Sequence, residues 1–412
     1  MMHSLVAFLH IVASALVVLG VAVDDNMSDR VAENISEPST VNACENTTIY
    51  KLPENYSERG PWTVGARNIE LAGYNTEVWY PALWGSEAGK DKHVYDIRQW
   101  IPENMADDIP DDIVVEQVCD CYIGLPVDSE HGPYPVMVFI HGTAGFRTQS
   151  LTIVNHWASR GFIVVAADHP GLYLGSLLSF QLQRDVPGDV DAMINALKAN
   201  VSDIAFLEGK MDLSRIAVSG HSAGGFSLND MGEIEGVLVL IPMAADGTNG
   251  TDFPGSSLIL GAVDDAIVAY DRQAEGYEVT PPSKRLVGIA NAGHLAFSDL
   301  CVIGADDGGI VEIAFSVGLP IPDVLLNQFA RLGTDGCDPG QLAPQKGWDI
   351  VNYASSAVME EALMCDLKAV EALRNITDTF EDVSEYREDL IIVDLVDGST
   401  PQDAATTEDL IV

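Results

Sequence analysis

The stretch "LSRIAVSGHSAGGFSLND", residues 213–230, runs from a β-rich apolar segment through a serine flanked by glycines into a segment able to form a helix. Within it, Gly220-His221-Ser222-Ala223-Gly224 is a G-x-S-x-G pattern, which takes its meaning from a strand–turn–helix context. So sharp a turn drives its central residue into sparsely populated backbone angles. Glycines two positions before and after it remove the side chains that would clash. The product is a hydroxyl exposed at a helix N-terminus, whose free amides favour negative charge. Ser222 therefore reads as a nucleophile rather than as a small residue in a glycine-rich loop.

The flanking chain supports that context. "YPVMVFIHG" (134–142) is a continuous apolar run, as expected of a strand buried on both faces of a parallel sheet. Strand–helix units follow, with strands in "FIVVAADHPG" (162–171), "RIAVSG" (215–220), "GVLVLIPM" (236–243), "SLILGAVDD" (257–265) and "KRLVGIANAGH" (284–294). Upstream, residues 64–72 and 76–80 suit a hairpin at the edge of a sheet, and 112–126 suit a further strand. The alternation argues for an α/β chain with a doubly wound, mostly parallel sheet.

A serine nucleophile needs a base, and the base needs an acid that orients it; in α/β-hydrolases both follow the serine, acid first. His294 is the one histidine after Ser222, in the loop "NAGHLAF" beyond the last strand. His141 and His169 lie at strand ends and read as structural, while His221 reads as lining an acyl pocket. Asp264 and Asp265 both end the strand "SLILGAVDD", and as neighbours on an extended segment they point opposite ways. An oxyanion hole needs two backbone amides. Ala223, after the nucleophile, supplies one, and Thr143 in "HGTAGF" is the candidate for the other. Phe146 and Leu295 are expected in an apolar substrate groove. Nothing in the pattern calls for a metal or a cofactor.

Composition bounds the rest. The 412 residues carry 21 Lys+Arg against 62 Asp+Glu, a formal net charge of -41, which repels nucleic acid and anionic membranes. No stable membrane partner is expected, and a monomer acting on small-molecule, lipid or polyester esters is. Acidic clusters such as Asp306-Asp307 lack the spacing of a calcium-binding EF-hand. Residues 1–23 hold no Asp, Glu, Lys or Arg and read as a secretory signal cut near Ala22, with an uncleaved anchor as the alternative. Cys44, Cys119, Cys121, Cys301, Cys337 and Cys365 allow three disulfides. Cys119 and Cys121, in "CDC", point the same way along a strand and are expected to bond elsewhere. Sequons at Asn26, Asn34, Asn46, Asn55, Asn200, Asn249 and Asn375 fit a secreted glycoprotein. The expected organisation is a polar linker over 24–60, a catalytic domain over 61–300, a helical, disulfide-bearing extension over 301–395 and an acidic tail over 396–412.

Taken in order, "RGPWTVG…TEVWYPALWG", "VFIHGTAGF", "ASRGFIVVAADHPG", "DLSRIAVSGHSAGG", "LILGAVDDAIV" and "GHLAF" resemble the dienelactone-hydrolase-like branch of α/β-hydrolases over roughly residues 58–298. That branch includes cutinase-type polyester hydrolases and platelet-activating-factor acetylhydrolases. The resemblance implies an α/β-hydrolase fold and a secreted serine carboxylic-ester hydrolase. It selects Asp265 as the acid and places the second oxyanion amide at Thr143, where bacterial polyesterases carry an aromatic residue. His221 precedes the nucleophile, as in many cutinase-like enzymes. Polyesterases end soon after their histidine; this chain continues past His294 with Cys301, Cys337 and Cys365, and "GHLAFSD" is at least as similar to the acetylhydrolase loop. Two other readings compete. A hydrolase fold without catalysis would have lost a triad member, and a dienelactone hydrolase proper would carry a cysteine in the elbow.

Overall fold

In the computed structural model, residues 36–44, 47–111, 114–248, 253–316, 318 and 330–391 are described. The N-terminal apolar stretch, the sequons at Asn26, Asn34, Asn46 and Asn249, and the acidic tail lie outside them. Asn55, Asn200 and Asn375 are exposed. No helix among the described residues is long and apolar enough to cross a membrane.

The strands are β1 (Thr40–Asn42), β2 (Thr48–Tyr50), β3 (Val64–Leu71), β4 (Tyr74–Pro81), β5 (Val94–Asp96), β6 (Glu116–Val118) and β7 (Tyr122–Ile123). They continue as β8 (Tyr134–Ile140), β9 (Ile163–Ala167), β10 (Met211–His221), β11 (Val237–Met243), β12 (Ser256–Ala262), β13 (Lys284–Ile289) and β14 (Val383–Asp389). Ten of them form one sheet in the order β14-β13-β12-β11-β10-β8-β9-β4-β3-β7. From β13 to β9 the neighbours run parallel. Every residue of β8 and β9 is buried, which is why those stretches read as unbroken apolar runs; β13 is buried throughout as well, although it opens with Lys284 and Arg285. The chain goes from β8 out to β9 and then crosses back to β10. The switch in direction therefore falls between β8 and β10, where the crevice beyond the strand ends is the usual ligand site of open α/β sheets.

The region after residue 300 is woven into this core instead of being appended to it. β14 pairs antiparallel with β13 as an edge strand of the main sheet, so the extension is not purely helical. The helix Pro344–Met364 buries Ile350, Val351, Ala354, Ala357 and Val358 and packs on the helix Leu151–Ser159. Trp157 Nε1–H donates to Ser355 Oγ at 2.8 Å, and Arg160 pairs with Glu360 with both side chains buried.

Within the segment expected as a linker, β1 and β2 pair and Cys44 bonds Cys365. Cys301 bonds Cys337. The third bridge joins Cys119 to Cys121 themselves, against the expectation that they bond elsewhere. The segment 112–126 is not one strand. β6 pairs with β5 in a separate ribbon and β7 joins the main sheet, and the bend between them brings the two Cα atoms to 5.0 Å, within bonding reach.

Candidate active site

β10 ends on His221, and at Ser222 the chain turns with φ 53° and ψ −120° into the short helix Ala223–Phe226. The flanking glycines serve close approach. A methyl on Gly220 would lie 2.4 Å from the carbonyl carbon of Gly224, and one on Gly224 would lie 2.5 Å from the carbonyl oxygen of Ile140. The elbow thus sits directly against the end of β8, and the strain at Ser222 is held by packing on both sides.

Asp265 lies just past β12, and His294 opens a single 3-10 turn, His294–Phe297, in the loop after β13. Ser222 Oγ is 2.9 Å from His294 Nε2, and His294 Nδ1 is 2.8 Å from Asp265 Oδ2. An ionised carboxylate only accepts, so Nδ1 carries the proton and Nε2 turns its lone pair to the serine hydroxyl. Asp265 is held by three further donors: the amides of Ile267 at 2.8 Å and Val268 at 2.7 Å, and Gln273 Nε2–H at 3.0 Å. Asp264 is exposed and its side chain takes no part.

The oxyanion loop lies alongside. A methyl on Gly142 would sit 3.3 Å from the β-carbon of Ser222, so the loop His141–Phe146 passes directly over the serine. Neither the Thr143 nor the Ala223 amide donates to a protein acceptor among the described residues, leaving both free for a developing oxyanion. His141 locks the loop from below: its Nδ1–H donates to the Gly142 carbonyl at 2.8 Å and its Nε2 accepts the His169 amide at 3.2 Å. Burial pushes its pKa down to about 3, so it stays neutral in this role.

Gln149 was invisible in the sequence and proves central. Its Oε1 accepts the Gly142 amide at 3.0 Å, and its Nε2–H donates to His221 Nδ1 at 2.9 Å. His221 in turn donates Nε2–H to the His294 carbonyl at 2.8 Å. His221 is therefore buried behind the site with both ring nitrogens used, and does not line a pocket. Burial, and then the neighbouring His294, push its pKa down to about 3, so it adds no charge beside the base.

Phe146 and Leu295 likewise leave the substrate groove. Phe146 is fully buried and stacks on Trp100 with ring centroids 4.2 Å apart, and Leu295 is buried too. The apolar cleft beside the oxyanion loop is built from segments far apart in sequence. Ile97, Ile101, Leu174, Leu178, Leu300 and Ile313 wall it, with Thr143 and Ala144 at the loop end. It encloses about 910 Å³ of space, part of it open to solvent. Its lining is almost wholly aliphatic, which suits an apolar group.

A second carboxylate missed by sequence reasoning lies nearby. Asp335 Oδ2 accepts the amide of His294 at 2.8 Å and that of Ala266 at 3.0 Å. Flanked by glycine and threonine, 41 positions after the base, it carried no local signal.

Residues 120–230, from the end of β6 to just past the elbow, match the chlorophyllase family model. Chlorophyllase type 0 of Chenopodium album is 38% identical over 100 residues, which are 24% of this chain and 28% of that relative. The chain is thus similar to little more than a quarter of that relative's length. The match holds Ser222 and Thr143 but stops short of Asp265 and His294. The sheet and the match together give the chain an α/β-hydrolase fold, one whose nucleophile half is similar to chlorophyllases.

Proposed function

We propose that the chain is a serine carboxylic-ester hydrolase working through an acyl-enzyme. The observation that carries this reading is the unbroken relay Ser222 Oγ–His294 Nε2, His294 Nδ1–Asp265 Oδ2 at 2.9 and 2.8 Å on a nucleophile turn at φ 53°. His294 takes the hydroxyl proton as Ser222 Oγ bonds to the ester carbonyl carbon. The oxyanion settles on the amides of Thr143 and Ala223. The alcohol leaves with the proton from His294, and water repeats the sequence to release the acid. Asp265 keeps the imidazole in the tautomer that accepts from serine.

The apolar cleft favours an ester with a hydrophobic acyl or alcohol group. A chlorophyll esterase is a second reading, favoured by the similarity over residues 120–230. The motifs that resemble polyester hydrolases and platelet-activating-factor acetylhydrolases keep those substrates in the test panel. Secretion is supported by three disulfides, which persist in oxidising compartments. The intact relay argues against a fold retained only for binding.

The test is hydrolysis of p-nitrophenyl butyrate, chlorophyll, an acetylated phospholipid and a polyester film by wild-type protein and Ser222→Ala. Loss of roughly 10⁶-fold in kcat in the variant is expected. Unchanged turnover in Ser222→Ala would remove the assignment, and the substrate ranking separates the readings within it.

A further inference from the structure

We infer that Asp335 is a positioning residue that holds the acid and base loops in register, an inference that rests on reading Ser222 as the nucleophile. One carboxylate oxygen, Oδ2, accepts the backbone amide of His294 and also that of Ala266, the residue after Asp265. The two side chains that must meet at 2.8 Å are thereby tied, one backbone step away, to a single atom. The Asp335 carbonyl accepts the Leu295 amide at 2.8 Å, so both ends of the residue grip the base turn.

The segment bearing Asp335 is itself fixed. A methyl on Gly293 would lie 2.4 Å from the Gly336 amide nitrogen, so the two backbones touch with no room for a side chain. Leu342 donates its amide to the Asn291 carbonyl at 2.7 Å, Arg331 Nη2–H donates to the Ala266 carbonyl at 2.9 Å, and Cys337 is bonded to Cys301. The C-terminal region thus supplies the frame on which the base turn is built. Asp335 contacts neither the imidazole nor the serine through its side chain; it acts through the two amides.

The experiment compares Asp335→Ala and Asp335→Asn with wild type in the full chain. Four readouts are followed: kcat and KM on p-nitrophenyl butyrate, the second-order rate of labelling by a fluorophosphonate, the far-downfield proton resonance of the His294–Asp265 bond, and near-ultraviolet circular dichroism. Asp335→Ala is expected to lower kcat roughly 10²-fold, the scale of an ångström's misplacement, with KM nearly unchanged. The labelling rate should fall by the same factor and the downfield resonance should shift or broaden. Asp335→Asn keeps an oxygen acceptor in place and should restore most of the rate and the resonance. Full kcat in Asp335→Ala overturns the proposal. So does an Asp335→Asn as impaired as Asp335→Ala, or a loss that tracks only the folded fraction while the resonance stays put. Failure of the underlying reading looks different: wild type would take no label, and Ser222→Ala would hydrolyse as fast as wild type.

Discussion

The nucleophile half and the base half of this site are built on opposite principles. Ser222 and its helix sit at the end of β10 against its neighbour β8, and are shaped by contacts between backbones in van der Waals touch. Asp265 and His294 sit on loops after β12 and β13, and their spacing is set by hydrogen bonds from residues as far along as Asp335. The first is a steric device encoded locally, the second a tethered one encoded at long range. The family similarity covers the first and ends before the second.

Among variants that keep the nucleophile, the largest effect expected is in the tethered half. Asp265→Asn should leave the fold intact and lower kcat by roughly 10⁴-fold, because an amide in that place favours the wrong imidazole tautomer. A loss below tenfold in steady-state kinetics would mean that Asp264 or another carboxylate substitutes, and the comparison would need redrawing.

In the steric half the probe is Gly224→Ala. Its methyl would meet the Ile140 carbonyl oxygen at 2.5 Å, pushing the elbow off β8. An activity loss of roughly 10²-fold is expected with every triad residue still present. Retained fluorophosphonate labelling at the wild-type rate would show that the elbow tolerates displacement.

The smallest effect concerns Asp299, which joins the two halves. It is buried, it accepts the Thr152 amide and hydroxyl and Gln117 Nε2–H, and its own amide donates to the Gln149 carbonyl. Burial pushes its pKa up to about 7, against the hydrogen bonds that pull it down. Because the folded value lies above that of the unfolded chain, the protonated carboxyl favours the folded state at acid pH. That contribution is lost as pH rises from about 4 through about 7. Urea unfolding at pH 5 and pH 8 should show wild type losing stability relative to Asp299→Asn across the interval. Equal pH dependence in the two proteins would place Asp299 in a more polar setting than its burial indicates.

Legibility follows whether a residue's role leaves a pattern in its own neighbourhood of the chain. Ser222 could be read because its sterics are local: glycine spacing and an apolar strand before it suffice. His294 could be read because no other histidine follows the serine, and the preference for Asp265 over Asp264 is what the resemblance implies; Asp265 is buried and Asp264 exposed. The cleft walls could not be read. Phe146, Leu295 and His221 lie close in sequence to the catalytic residues, yet their side chains turn inward and are buried. The walls come instead from segments such as Ile97–Ile101 and Leu174–Leu178, which no periodicity links to Ser222. Gln149 and Asp335 escaped for a related reason, since a side chain that caps a distant amide leaves no pattern around itself. Cys119 and Cys121 escaped because a bend, not a strand, separates them.

The bond between Cys44 and Cys365 spans 321 positions, so most of the chain lies within one covalent ring. During synthesis that ring cannot close until the last long helix has emerged, long after the elbow has been made. Closing so large a loop removes on the order of 5 kcal/mol of chain entropy from the unfolded state. Once closed, a single cut by a protease anywhere inside it opens the ring without releasing a fragment. Damage to a surface loop would then leave serine, acid and base on one molecule, separable only after reduction.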